Sequence, residues 1–463
     1  MTEPNVATPS KAFEAMAAAW ALPAALMGGT RAMRAAGRTY LPQEPKERNG
    51  AYDNRLKRTI LFNGFRRTVR VLGGMPFGKP AILGEETAEA FVAMADDLDL
   101  AGRDLTAFAR DLMADMLVFG KAHVLVDFPA QVVGEDGTPL SLSLAEERAL
   151  KRRPYFTQIS PLDLIAWRGE RVGGAEILTR VRIRETATEP DGPWGEKSVE
   201  RIRVVMPEGF QIWHKVEDDW RVEAELPNTL GEIALVTIHA NRTGFLTSLP
   251  PLEDLAWLNL RHWQSQSDQD NILHVARVPI LFGAGFREGE LDGAEIGPNR
   301  AISATDPQAR LGFVEHSGAA IDAGRRDTQD LEARMQVMGA ELLVPRPGNQ
   351  TATARAIDAT ESMSDLQAMV RALETGLEQA FGFAGRWLNL GKATAQVDVN
   401  QDFGLSRKDA GDLQTLLQAR LAGEISRRTF LDEIKRRGIL SDSLDVEEEI
   451  AQLQAGAPIG VEE

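Results

Sequence analysis

The sequence has no cysteine. Disulfides, thiolate nucleophiles and cysteine-ligated zinc or iron–sulfur centres are therefore excluded, and the composition fits a reducing compartment. The six histidines, His123, His214, His239, His262, His274 and His316, include no pair at H-E-x-x-H spacing and form no compact carboxylate cluster. They read as surface or core histidines, so no metal or cofactor is expected. No G-x-S-x-G elbow occurs, and Glu447-Glu448-Glu449 reads as a solvated charge run. Positive charge is in deficit: 52 Lys and Arg against 68 Asp and Glu leave a net charge of −16. Phosphate affinity is built from Lys and Arg, so a general nucleic-acid binder is excluded. The same charge suits a surface that DNA must pass without sticking.

Long apolar runs are also lacking. Ala15–Met27 is apolar, but it is too short for a bilayer and holds Pro23. Glu3, Lys11 and Glu14 precede it in place of a positive leader region. It reads as a surface-docked helix on a soluble protein.

What is present is a folded chain, 43% hydrophobic and 26% charged. At 463 residues it is too long for one core, and two or more compact regions are expected. An Ala-rich helix and a loop fill residues 1–50. A basic helix follows, carrying Arg55, Lys57, Arg58, Arg66, Arg67 and Arg70, with Leu56, Ile60, Phe62, Val69 and Leu72 as its apolar partners. Gly73-Gly74-Met75-Pro76 ends it. Glu86–Leu98 and Leu105–Phe119 fit helices, and Ala122–Phe128 a buried strand. Leu178–Arg184, Val199–Met206, Phe210–Val216, Trp220–Ala224 and Ile233–His239 read as an antiparallel sheet, with Arg180, Arg182 and Arg184 on a solvated face.

From Pro250 the period turns helical. Gln264 to Asn271 is polar on every side, which implies support from neighbouring chains or water. Val278–Phe282 and Arg310–Glu315 are strand-like. Thr328–Leu343 is a helix with Leu331, Met335, Met338 and Leu342 as its stripe and Gln329, Ala333, Gln336 and Ala340 opposite. Val344–Thr353 reads as a loop. A long helix is expected over Asp358–Leu388, with a seam of Met363, Leu366, Val370, Leu373, Leu377, Ala380, Ala384 and Trp387 that suits packing against other helices. A strand, Ala395–Asn400, then leads to helices with Ser406 and Ser426 as caps and Gly423 between them. The second ends at Lys435, Arg436 and Arg437, and an acidic helix, Asp445–Gln454, completes the chain.

Two motifs tempt toward an enzyme. Gly73 to Lys79 has Walker A spacing, but Pro80 stands where Ser or Thr must hold Mg²⁺, and Pro76 and Pro80 remove backbone donors. Gly283, Gly285 and Gly289 approach a dinucleotide fingerprint with the third glycine one residue late and no amphipathic helix after it. Neither supports catalysis.

The order of the pieces is more specific than any one motif. Tyr40-Leu41-Pro42, Tyr52, Arg55, Pro76 to Pro80, Gly120 to Pro129, Ile159-Ser160-Pro161 with Trp167, Pro250 to Ala256 leading to Ser267-Asp268, and Gly423 to Ser426 with Thr429 together resemble the portal proteins of tailed phages. The resemblance covers nearly the whole chain. It implies an α+β portal-like subunit: an antiparallel β/α wing, two stem helices flanking a small β clip, a long spine helix and a C-terminal helical crown. The implied division is an N-terminal helix and arm at 1–50, wing 51–250, first stem helix 251–276, clip 277–324 and second stem helix 325–343. The tunnel loop then takes 344–353, the spine 354–390 and the crown 391–463.

The family implies a non-enzymatic homo-oligomeric ring, typically of twelve subunits, at one capsid vertex of the virion, assembled in the host cytoplasm. Its partners would be the large terminase, a head–tail adaptor, the major capsid and scaffold proteins, and double-stranded DNA passing without sequence specificity. No membrane is implied. Arg346, Asn349, Gln350 and Thr351 of the tunnel loop are expected to approach DNA. Gln329, Glu332 and Gln336 are expected to line the stem channel, and Phe282, Phe286, Arg287, Arg300 and Arg310 to form the clip interface. The alternatives are another phage connector or adaptor, or a nucleotide-binding enzyme using Gly73 to Lys79.

Overall fold

In the computed structural model the Ser10 hydroxyl accepts the Phe13 amide, and helix α1 (Lys11–Ala36) begins there. The structure describes residues 4–129, 143, 146, 150, 152–217, 219–277, 280–287, 305–314, 318–343, 364–391, 393, 395–403, 410–436, 440 and 444–455. The helix α1 is a core element, not a surface one: Trp20, Leu26 and Met33 are fully buried, and the Trp20 indole donates to the Phe119 carbonyl at 2.9 Å. Pro23 does not interrupt it; the non-helical residue is Gly29, at φ 72°. The helix also outlasts the expected stretch, and Lys11–Thr39 is long and apolar enough to cross a membrane by length and composition.

The expected basic helix is two helices, α2 (Asn49–Arg58) and α3 (Gly64–Gly74). Asn63 breaks them apart by capping α3 through the Arg66 amide, and it leaves Ile60 and Phe62 exposed between them. Phe65, Val69 and Leu72 form the buried stripe of α3. A short strand β1 (Ile82–Leu83) and helix α4 (Glu89–Ala95), shorter than expected, lead to α5 (Leu105–Phe119). Asp104 caps α5, and Gly120 ends it in the left-handed region at φ 81°. Only glycine suits that position twice over, because a Cβ there would also overlap the Leu249 carbonyl.

Strand β2 (Lys121–Asp127) follows. It is central in a three-stranded antiparallel sheet, between β3 (Tyr155–Ile159) and β9 (Leu235–His239), so its residues are buried on both faces. A second sheet is a five-stranded meander of β4 (Leu164–Val172), β5 (Ala175–Asp191), β6 (Gly195–Val205), β7 (Gly209–Val216) and β8 (Asp219–Pro227). The Arg row expected on its solvated face is partly taken up: Arg182 donates to the Asn5 and Val6 carbonyls and holds the N-terminal segment on the sheet. A small hairpin of β10 (Arg242–Gly244) and β11 (Thr247–Ser248) then leads to α6 (Glu253–Ala276), the paired strands β12 (Ile280–Ala284) and β13 (Arg310–Val314), and α7 (Ala319–Glu341). The last starts ahead of its expected first residue.

Within its described length the long helix is α8 (Asp365–Trp387), opened by a capping box in which Ser364 and Gln367 each accept the other's amide. Residues 358–363, including Met363, lie outside the described residues. Its seam of Leu366, Val370, Leu373, Leu377, Ala380 and Ala384 is buried as expected, whereas Trp387 at its end is only half-buried and donates to Thr229 Oγ1. The seam packs on β9, β2 and α5, so a sheet supplies much of the surface expected from helices. Strand β14 (Val397–Asp398) pairs antiparallel with β1.

The chain divides into two compact units, residues 1–399 and 400–463. The second holds α9 (Ala410–Leu421), α10 (Arg427–Arg436) and α11 (Val446–Ala455). Ser426 caps α10 through the Thr429 amide, Gly423 is left-handed at φ 81°, and Arg428 pairs with Glu447 at 2.6 Å. The expected cap Ser406 and basic Arg437 lie outside the described residues.

Candidate functional site: a buried arginine and a helical hairpin

Arg55 is 4% exposed, and its guanidinium is fully engaged. It grips Glu47 through two bonds of 2.8 and 2.9 Å, donates to the Pro42 carbonyl at 2.8 Å and to Ser267 Oγ at 3.4 Å, and lies over the Tyr52 ring. The Tyr52 hydroxyl donates to the Leu41 carbonyl at 3.0 Å, and the Gln264 amide to the Tyr40 carbonyl at 3.0 Å. Thr59 Oγ1 and Ser267 Oγ are 2.9 Å apart. The Arg55 hydrogen bond holds the Glu47 carboxyl below the usual carboxylate range. One buried knot thus collects the motif residues Tyr40 to Pro42, Tyr52, Arg55 and Ser267, which the sequence holds in three separate places.

The knot anchors α6. Asn259 is fully buried and fixes the break between α2 and α3: its carbonyl accepts the Phe65 amide and its amide donates to the Phe62 carbonyl, both at 2.8 Å. The stretch expected to be polar on all sides has dry positions: Ser267 is fully buried, and Gln269 nearly so. Its support comes from within the chain. Helices α6 and α7 run in opposite directions and are laced by His262 to Glu332 at 3.2 Å, Ser265 to Asp327 at 2.9 Å and Gln269 to the Ile321 carbonyl at 2.9 Å. The partners sit 52 to 70 positions away, beyond any local sequence window.

The far ends of this pair are joined through the strands β12 and β13, in register from Ile280↔Val314 to Ala284↔Arg310. Among the described residues they form a sheet of two strands. Phe282 and Leu311 are exposed, on opposite faces of it.

The expected site residues fall as follows. Phe282, Arg287 and Arg310 are exposed, Phe286 is half-buried, and Arg300 lies outside the described residues. Gln329 and Gln336 are exposed on α7, whereas Glu332 turns toward His262. Arg346, Asn349, Gln350 and Thr351 all lie outside the described residues. Gly73 and Gly74 end a helix and Met75–Gly78 is a 3-10 turn, so the Walker-like residues stand on no strand–loop–helix unit. Gly283 pairs with Leu311 inside the two-stranded sheet, which is not a βαβ unit. Among the described residues no group of three metal-ligating side chains occurs.

Residues 251–388 match the family described as Domain of unknown function (DUF4055), a span from the turn before α6 to just past the end of α8. No curated protein matches the chain. Similar solved structures include the neck of an empty GTA particle computed with C6 symmetry, at 12% identity over 80% of this chain and 88% of that chain, with a TM-score of 0.41. The neck of a native GTA particle computed with C12 symmetry is 11% identical over 79% and 87%, at 0.39. The virion of a native gene transfer agent (GTA) particle contributes a chain 13% identical over 80% and 88%, at 0.38.

Proposed function

We propose that this chain is a phage portal subunit, a non-enzymatic component of a ring through which DNA enters and leaves a capsid. The observation that carries the reading is the helical pair α6–α7. It is anchored in the body by Arg55, laced internally, and tipped by two strands that, among the described residues, pair only with each other. A lone two-stranded sheet is marginal in water, so its exposed Phe282 and Leu311 suit contact with other subunits or docking proteins. The ordered motif set resembling portal proteins supports the same reading, since several of its pieces meet at the knot.

In this reading α6 and α7 are the stem and β12–β13 the clip, which would face the terminase during packaging and the adaptor afterwards. Gln329 and Gln336 border the channel, and residues 344–353 contact the passing DNA. An acidic chain with no base-reading module lets DNA slide, because tight phosphate binding would brake it. The ring is closed by a heterologous contact repeated around an axis.

The test is the native mass of the purified protein. Twelve copies of a 50.7 kDa chain make about 608 kDa. A species within one subunit of that mass is expected; a stable monomer or dimer at micromolar concentration overturns the ring. Deleting Gly348 to Thr351 is expected to impair packaging or DNA retention while sparing assembly.

A further inference from the structure

The ribbon of β5 and β6 outruns its own sheet. Strand β4 pairs with β5 up to Ile183, and β7 with β6 up to Arg201. Beyond them, six rungs from Thr186↔Glu200 to Asp191↔Gly195 continue as two strands, roughly 20 Å of ribbon. Ion pairs stiffen it: Glu189 meets Lys197 at 3.2 Å and Arg201 at 2.8 Å. At its tip, after Gly192 and Pro193, stands Trp194, 98% exposed. Asp191 and Glu196 flank it, and neither has an ion pair among the described residues. A fully hydrated indole on a stiff acidic ribbon stabilises nothing within its own chain; its large apolar area suits a partner.

A complementary hole exists elsewhere on the same unit. Between α3 and α7 lies an open groove of about 440 Å³, lined by Phe62, Arg67, Val71, Met75, Met335 and Leu343. Gly64 and Gly339 also line it and let α3 and α7 approach closely, since a Cβ at Gly64 would crowd Met335 and one at Gly339 would crowd Thr68. Its rim is basic. From residue 54 to 84 the sequence has seven Lys and Arg and no Asp or Glu. Arg67 and Arg70 are exposed and have no ion pair among the described residues.

We propose that Trp194 of one copy seats in this groove of the next copy, with Asp191 and Glu196 meeting Arg67 and Arg70. The indole gains an aromatic neighbour in Phe62, a thioether in Met335 and a cation in Arg67. Knob and hole are different patches of one surface, so the contact is heterologous and runs head to tail. The inference rests on the ring reading, and it names the residues through which neighbouring subunits hold each other.

Because the chain has no cysteine, a crosslink tests it without background. Pro193→Cys combined with Val71→Cys leaves Trp194 in place. Mild oxidation of this double variant is expected to give a ladder of covalent multimers that thiol collapses to monomer; either single variant stops at dimer. Charge exchange provides the second reading. Glu196→Arg or Arg67→Glu alone is expected to raise the dissociation midpoint of the assembly by about tenfold, and the two together to restore it. A ring of the mass given above with no ladder and no charge rescue overturns this contact and leaves the ring standing. A ladder from an assembly of another size upholds the contact and overturns the twelve-fold ring. A monomer without a ladder overturns both.

Discussion

Arg55 and Ser267 are 212 positions apart in sequence and joined by a buried 3.4 Å hydrogen bond. That bond, with the Glu47 pair beside it, ties the start of the chain to the helical hairpin. Removing one partner of a buried ion pair leaves the other charge without compensation. Arg55→Ala is therefore expected to cost on the order of 3–5 kcal/mol in chemical denaturation. Arg55→Lys should recover little of it, because an ammonium cannot span two Glu47 oxygens and the Pro42 carbonyl in one plane. The sign with pH follows from Glu47, whose folded pKa is lowered by the Arg55 hydrogen bond. Its contribution is full above the ordinary value of 4.5 and is lost as pH falls through the lowered one. Wild-type stability in Arg55→Lys would show that the knot is packing alone.

Lys121 is fully buried on β2, with its ammonium 5.2 Å from the Trp20 ring centre, 4.8 Å from that of Trp167, and bonded to the Leu246 carbonyl at 2.9 Å. Burial pushes its pKa down from 10.5 to about 7. The neighbouring His123 and His239 are also pushed down by burial, and the ionisable groups acting on these three are basic. Between pH 7 and 10.5 the unfolded chain binds the extra proton, so stability rises with pH across that window. Lys121→Met is expected to stabilise by roughly 2–4 kcal/mol at pH 7, the ring contacts offsetting part of the desolvation. The gain should vanish toward pH 10.5. Equal gains at both pH values would contradict a buried titrating ammonium.

Asp115 has the opposite slope. Burial raises its pKa from 3.8 to about 7 against the Gln158 amide hydrogen bond, and Asp111 and Asp163 add to the rise. The folded chain keeps a proton that the unfolded chain loses, so stability falls as pH rises from 3.8 to 7. Asp115→Asn keeps an oxygen for Gln158 and is expected to stabilise above pH 7 while changing nothing below pH 4. Denaturation midpoints at pH 4 and 8 decide it; a gain at pH 4 as large as at pH 8 rules the mechanism out.

Much of the fold was legible where local chemistry decides. Ser426 and Gly423 mark helix ends, the seam of α8 shows its period, and strands β5 to β8 of the meander alternate or run apolar between turn residues. The failures were non-local. The break at Asn63 depends on Asn259, 194 to 197 positions away in its bonds to Phe65 and Phe62. The dry positions of α6 depend on Arg55, Thr59 and α7. Strands β3 and β4 carry no clear period; tertiary neighbours place them. The motif residues of the knot were each visible, but their meeting was not, and Glu332 belonged to a helix pair that no single periodicity reveals.

Gly376 on α8 faces Ile238 on β9, and a Cβ there would overlap the Ile238 side chain. This close approach is what lets the long helix lie flat on the three-stranded sheet, with Leu373 and Leu377 buried on either side. Gly376→Ala is expected to cost about 1–3 kcal/mol through overpacking, despite alanine's better helix propensity. Ile238→Ala alone opens a cavity and costs about 2–5 kcal/mol. Together the two should cost at least about 1 kcal/mol less than their sum, because the added methyl enters the space the isoleucine leaves. A double-mutant cycle in chemical denaturation measures the coupling. Strict additivity would mean that α8 shifts away from β9 instead of resting on it, and the sheet would no longer set the position of the helix.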